Sequence, residues 1–149
     1  MDALTGIEDA VEAALGPIAP DLRTLGIYSG QFEVESIDDL TVQFPCIYIL
    51  TTGFQIEVEN RENFTDVGFD LFIGDRNLRG AEAAIRGSGT SAGVYSIMQS
   101  AFDLLHNKIL YSGFAVAQMT RAFPFAYRPK DGLCIWIQTY KTEGNIENG

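Results

Sequence analysis

Charged side chains are the groups in this sequence with the most evident chemistry. Guanidinium groups pair with carboxylates on other surfaces, and closely spaced carboxylates can hold a cation or act as an acid pair. The basic candidates are Arg76, Arg79 and Arg86, and the acidic ones are Asp38, Asp39, Glu57 and Glu59. Glu57 and Glu59 share a face of a predicted strand, because strand residues two apart point the same way. A solvated strand face is the more common use of such a pair.

The residue types of a catalytic or metal centre are sparse. His106 is the only histidine, and it falls at the end of a predicted helix, where a histidine can interact with free carbonyls. Cys46 and Cys134 are 88 residues apart and neither has a CxxC partner, so the usual zinc patterns are missing. We therefore predict buried free thiols, no enzyme activity, and no catalytic, cofactor or metal site.

One glycine-rich segment could still bind an anion. Residues 87–92 open a predicted helix, and backbone N–H groups at a helix start can hold a phosphate. The dinucleotide-binding fingerprint requires a strand before the glycines, whereas residues 81–86 are helix-like. A plain loop is the simpler interpretation.

Composition and charge limit the class of protein. The 149 residues suit one domain, and 46% hydrophobic with 20% charged residues is typical of a globular fold. The net charge of −10 argues against binding to DNA phosphates or anionic membranes. No stretch is long and apolar enough for a membrane helix, and the N-terminus does not resemble a signal peptide. We expect a soluble protein made in the cytosol.

The charge is unevenly distributed along the chain. Residues 1–70 contain fourteen acids and two bases, a net charge of −12, whereas residues 71–149 contain six acids and eight bases, a net charge of +2. This asymmetry is compatible with opposed surfaces that bind copies of the same chain. It is equally compatible with an acidic surface that keeps the protein soluble.

Hydrophobic periodicity predicts two main helices and six strands. The helices cover residues 2–16 and 91–107, with Asp2 and Ser91 as caps, and the strands cover residues 25–28, 44–52, 54–59, 64–73, 114–125 and 133–141. We expect an α+β fold, an antiparallel-rich β-sheet packed against two main helices. Residues 1–141 form the single domain, and 142–149 form a polar tail. A helical turn is predicted at 36–40, and 74–91 is either an ordered loop or a flexible arm.

Four aromatic residues near the end of the chain have two interpretations. They are Phe114, Phe123, Phe125 and Tyr127. Each suits either the core or an interface, and the sequence alone does not separate the two.

Four short motifs resemble a phage protein family. They are Ile7-Glu8-Asp9-Ala10 in the first helix, Tyr28-Ser29-Gly30-Gln31-Phe32 after the first strand, Asp75-Arg76-Asn77-Leu78-Arg79-Gly80 after a later strand, and Gly93-Val94-Tyr95 at the start of a helix that ends in Leu104-Leu105-His106. In this order, over residues 4–141, the chain is similar to the tail-completion proteins of Mu-like contractile-tailed bacteriophages, which are placed as tail terminators. Residues 123–130 depart from the family pattern.

The resemblance implies a structural role in the virion. Tail terminators share an α+β fold and assemble as a six-fold ring at the head-proximal end of the tail. The ring stops polymerisation of the tail tube and sheath and joins the tail to neck and head-completion proteins. The expected location is therefore the tail–neck junction of the virion, after assembly in the host bacterial cytoplasm, with no membrane partner. An acidic lumen would let genomic DNA pass without specific binding.

A head-to-tail ring requires two different patches on each subunit. The hypothesis is that a basic patch binds an acidic surface of the neighbouring copy or of a tail protein. The interface residues are Arg76, Asn77, Arg79 and Arg86 against Asp38, Asp39, Glu57 and Glu59. The alternatives are a head-completion or neck connector protein, an enzyme that uses residues 87–92, and a binding module without a phage role.

Overall fold

Six strands and two α-helices form the part of the chain that the structure, a computed structural model, describes. That part comprises residues 2–34, 40–58, 62–77, 86, 93–128 and 131–145, without the side chains of 2–3, 56–58, 62–65 and 144–145. The elements in chain order are α1 (Asp2–Ala14), a 3-10 helix (Gly16–Asp21), β1 (Thr24–Ile27), β2 (Cys46–Val58), β3 (Glu62–Arg76), α2 (Val94–Leu105), β4 (Lys108–Ile109), β5 (Val116–Arg128) and β6 (Leu133–Asn145).

The strands form one sheet in the order β1-β2-β3-β6-β5-β4. The prediction of an α+β fold is confirmed, but the description of the sheet as antiparallel-rich needs correction. The sheet is mixed and curls into a half-barrel, and β1 pairs parallel with β2 from Thr24 opposite Cys46 to Ile27 opposite Ile49. A parallel pair needs a crossover of a dozen or more residues, and residues 28–45 supply one.

Both helices pack on the same face of the sheet. α1 contacts β1 and β2, and α2 contacts β3, β6 and β5. The main core between them is apolar, and its largest fully buried side chains include Ile7, Leu15, Ile47, Ile49, Phe69, Leu71, Ile73, Leu105 and Tyr140. α2 begins at Val94 after Gly93, which provides no side-chain cap. The predicted start at Ser91 lies outside the described residues.

The second face of the sheet carries an aromatic cluster. Its buried members are Cys46, Tyr48, Phe72 and Ile137, and the side chains packed against them include Tyr28, Phe32, Phe44 and Phe123. The Tyr28 ring stacks on the Phe72 ring with centroids 4.3 Å apart. The connection between β1 and β2 therefore covers this face. A strand covered on both faces must be apolar at successive positions, which confirms the interpretation of the run that begins at Cys46.

Several strand boundaries differ from the prediction. The segments expected as two strands at 44–52 and 54–59 form the single strand β2, whose register shifts around Gly53. Gly53 has φ +143, a conformation that glycine adopts readily, so the alternating pattern is interrupted without a turn. β6 continues to Asn145, so part of the predicted tail is strand. The expected helical turn at 36–40 lies almost entirely outside the described residues.

Burial of Cys46 predicts a loss of stability in alkali. Burial raises the pKa of the Cys46 thiol to about 12, whereas in the unfolded chain a thiol ionises near about 8.5. Between these values only the unfolded chain loses the proton, so the free energy of unfolding should fall with rising pH, by at most about 1.4 kcal/mol per pH unit from this group. Urea denaturation at pH 8 and pH 10 should show a smaller fall in Cys46→Ala. An equal fall in both proteins would contradict this account.

Candidate interaction surface

The predicted basic residues Arg76, Arg79 and Arg86 begin at the last residue of β3. Asp75 is buried, and its Oδ1 accepts the backbone N–H of Arg76 at 2.8 Å. The exposed Arg76 side chain turns toward the β5–β6 connection, where its Nε–H donates to the carbonyl of Asp131 at 3.1 Å. Arg76 therefore has a structural contact within its own chain, and the rest of its guanidinium group remains on the surface.

The next residue continues this contact. The Asn77 N–H donates to the Gly132 carbonyl at 2.9 Å. Gly132 has φ +65, and a Cβ there would fall on the Asn77 carbonyl oxygen. The hydrogen bonds of Arg76 and Asn77 to residues 131 and 132, which we name the β3 clamp, thus depend on a glycine for both conformation and space.

Most of the other predicted interface residues lie outside the described part of the chain. This applies to Asp38, Asp39, Glu59 and Arg79. Glu57 lies in β2, but its side chain is not among those described, and Arg86 is exposed. The structure therefore does not test whether the basic and acidic groups meet.

His106 lies at the end of α2 as expected, and its ring contacts the neighbouring strand β5. The backbone N–H of His106 donates to the Phe102 carbonyl at 2.9 Å. His106 is thus the C-cap residue of α2, and its imidazole makes a further contact that the sequence did not predict, because Nδ1 accepts the backbone N–H of Met119 on β5 at 3.0 Å. The ring also stacks on Phe102, with centroids 4.4 Å apart. His106 thus joins the end of α2 to the outer edge of β5.

β5 is a long strand with little cover on its outer side. β4 pairs with it only at Val116 and Ala117, so within the described ranges no strand pairs with residues 118–128 on that side. The structure shows which of the four aromatic residues near the end of the chain are buried and which are exposed. Phe114 is buried and Phe123 is half-buried, whereas Phe125 is 46% exposed and Tyr127 is 55% exposed. Two of the four are therefore surface residues.

Basic side chains flank these exposed rings. Arg121 and Arg128 are both exposed, and the guanidinium carbon of Arg121 lies 4.1 Å from the centroid of the Phe123 ring. Arginine and aromatic residues are enriched at protein interfaces. We name the group Arg121, Phe125, Tyr127 and Arg128 the β5 surface. Sequence reasoning missed its arginines, although the exposed aromatics were a signal.

Acidic side chains lie toward the other end of the sheet. α1 contacts β1 and β2, and the 3-10 helix leads from α1 into β1. Asp9 and Asp21 are exposed and Glu12 is half-exposed. We name these three residues the acidic end. Among the described residues, these three acids therefore lie next to β1, where Arg23 is also exposed, whereas Arg121 and Arg128 lie on β5.

A groove between α2 and β5 lacks the groups of an active site. Its volume is about 350 Å³, and it is lined by Tyr95, Met98, Gln99, Phe102, Met119, Ala122 and Gln138. The amide of Gln138 is fully used, because Nε2 donates to the Met98 carbonyl and Oε1 accepts from the Tyr140 hydroxyl, both at 2.9 Å. No charged side chain lines the groove within the described ranges.

The two cysteines and the acids with described placement do not form a metal centre either. Cys46 and Cys134 are free and buried, and Cys46 belongs to the aromatic cluster whereas Cys134 belongs to the main core. Among the residues with described placement, no three His, Cys, Asp or Glu side chains are grouped so that they could hold a metal ion. Within the same part of the chain, no helix has the length and hydrophobicity needed to cross a membrane.

Comparison with protein families identifies the relationship. The family model described as "Bacteriophage Mu, Gp37" matches residues 3–143. The chain belongs to the Bacteriophage Mu Gp37 family. This confirms the resemblance to Mu-like phage proteins. A comparison with curated proteins gave no match. Membership of the Gp37 family indicates a phage structural protein and a virion component, and it points away from an enzyme.

The β3 clamp yields a prediction about folding stability. Gly132→Ala should lower the free energy of unfolding by about 2 kcal/mol or more, because the new Cβ has an unfavourable positive φ and meets the Asn77 carbonyl. Gly16→Ala is the matched control, since nothing lies within 4 Å of a Cβ there. Urea denaturation of both variants measures the difference, and equal midpoints would show that the clamp does not constrain residue 132.

Proposed function

We propose that this Gp37-family protein is a tail terminator, which forms a six-fold ring at the head-proximal end of the tail. There it stops polymerisation of the tube and sheath and joins the tail to the neck. The coarser role, a structural protein of a Mu-like phage, rests on the family match over residues 3–143. The terminator role is a further step, for which the distribution of charge provides the principal physical support.

The two ends of the sheet suit a head-to-tail assembly. A closed ring of identical subunits uses heterologous contacts, in which two different patches of one subunit meet. The acidic end lies beside β1, and the β5 surface lies near the opposite side of the sheet. Patches of opposite charge favour this contact and disfavour contacts between like patches.

The overall charge suits a ring through which DNA passes. The chain has a net charge of −10, and carboxylates repel the phosphates of a duplex. Genomic DNA would therefore move through the lumen without binding specifically. Tube, sheath and neck proteins are the other proposed contacts, and the arginines that follow β3 are proposed to bind acidic groups on a neighbouring copy or a tail protein.

Electron microscopy of lysates from a phage that lacks this gene tests the role. A terminator predicts overlong tails beside tail-free, DNA-filled heads, because nothing stops tail growth. Expression of the gene from a plasmid should restore joined particles with tails of normal length.

Two other outcomes would reject the terminator role. Tails of normal length that do not join heads would make the protein a neck connector, whose rings are usually twelve-fold. Intact virions would end the structural interpretation and return attention to an enzymatic role.

The contribution of the arginine segment can be tested separately. Arg79→Glu combined with Arg86→Glu should reduce the number of joined particles roughly tenfold or more, because like charges would face the proposed acidic partner. Arg76 is left unchanged, since its Nε–H holds the Asp131 carbonyl. The control, Arg79→Lys with Arg86→Lys, keeps the charge. Normal joining by the Glu variant, with folding checked by circular dichroism, would show that these arginines do not bind the partner.

A further inference from the structure

The outer edge of β5 is the surface in this fold that most needs an explanation. β5 has 13 residues, yet β4 pairs with it at only two of them. Exposed strand edges tend to pair with other chains unless they are protected. Here the register against β6 shifts between Met119 and Arg121 and again between Pro124 and Ala126, and proline has no N–H to donate. The Met119 N–H is already bonded to His106.

These features make continuation of the sheet across β5 unfavourable. Side chains are therefore the main groups that this edge offers to a partner. The β5 surface supplies two exposed aromatic rings at one edge, one on each face of the sheet. Phe125 packs edge-on against Phe72 of the aromatic cluster, with ring centroids 5.4 Å apart, and Tyr127 lies opposite Cys134 of the main core. Exposed arginines precede and follow the two rings along the strand. Aromatic and arginine side chains provide much of the binding energy at protein interfaces. The chemistry of a suitable partner is thus an acidic surface with some apolar area.

The acidic end of the same chain has these properties. Asp9 and Asp21 are exposed and Glu12 is half-exposed, and Ile27 at the end of β1 is 40% exposed. β1 is one outer strand of the sheet, whereas β5 lies next to the short β4 at the other side. The two patches of one subunit therefore cannot contact each other, but the β5 surface of one copy can contact the acidic end of another.

We propose that the β5 surface of one copy binds the acidic end of a second copy. This deepens the proposed function, because it names the two patches that meet when subunits form a ring, and it rests on that function for its place in the tail. Arg121 and Arg128 approach the carboxylates of Asp9, Glu12 and Asp21. The rings of Phe125 and Tyr127 cover apolar surface around Ile27.

Photo-cross-linking tests this contact directly. The full-length protein carries p-benzoylphenylalanine in place of Tyr127, and it is irradiated both at high concentration after purification and in phage-producing cells. The expected product is a dimer in which position 127 is joined to residues 2–27 of a second copy. A copy-to-copy cross-link that maps elsewhere, a cross-link to a tail protein instead, or no copy-to-copy cross-link in either preparation would overturn the proposal.

Charge exchange provides the energetic test. Arg128→Glu should reduce the yield of the 127-to-N-terminal cross-link roughly tenfold, and a chain that also carries Asp9→Lys and Glu12→Lys should recover most of it. Lys108→Glu is the matched control, because it makes the same change in net charge at an exposed base outside both the β5 surface and residues 2–27. An equal loss in the control, or no recovery in the exchanged chain, would mean that this pairing does not hold the copies together.

The results separate this inference from the proposed function. If cells that lack the gene produce overlong tails but the cross-link maps elsewhere, the terminator role stands and the named contact is wrong. If those cells produce normal virions but the purified protein cross-links through 127 and residues 2–27, the contact stands and the terminator role is wrong.

Discussion

The burial of the central strands on both faces is the constraint on which the rest of this fold depends. β2 presents Ile47 and Ile49 to the main core and Cys46 and Tyr48 to the aromatic cluster. One covering layer would leave the other apolar side in water, at a cost of about 25 cal/mol for each exposed Å². The two helices cover one face and the connection between β1 and β2 covers the other. The long crossover, the parallel pair and the aromatic residues of that connection all follow from this requirement.

Because both faces are covered, the exposed sides and ends of the sheet are the surfaces left for partners. They are not alike. β1 lies next to the helices that carry Asp9, Glu12 and Asp21, whereas β5 carries arginines and exposed rings. Along β5 the Met119 N–H is bonded to His106, Pro124 has no N–H, and the register against β6 shifts twice. Such an edge resists pairing with arbitrary strands. The proposed contact with a second copy therefore depends on the side chains of β5 and not on pairing of its backbone.

The sequence could predict features that depend on neighbouring residues, and it could not predict features that depend on contacts between distant residues. The periodicity of residues 94–105 predicted the buried side of α2, and the apolar run from Cys46 predicted a strand covered twice, because both signals depend on neighbouring residues. The parallel pairing of β1 with β2 was missed, since it depends on what the crossover covers. The β3 clamp and the bond between His106 and Met119 were missed for the same reason. For the site, the arginine segment was recognisable, but the β5 surface emerges only when the strand is known to lie near the side of the sheet.

The register shifts in β2 and β5 have a consequence for assembly geometry. Each shift bends its strand and increases the local twist, and together they contribute to the half-barrel curl of the sheet. If the patches beside β1 and on β5 are the two contacts of a ring, the curl fixes the angle between them. That angle decides how many copies complete a full turn. Under that condition the irregularity around Gly53 contributes to the number of subunits although it lies in neither contact.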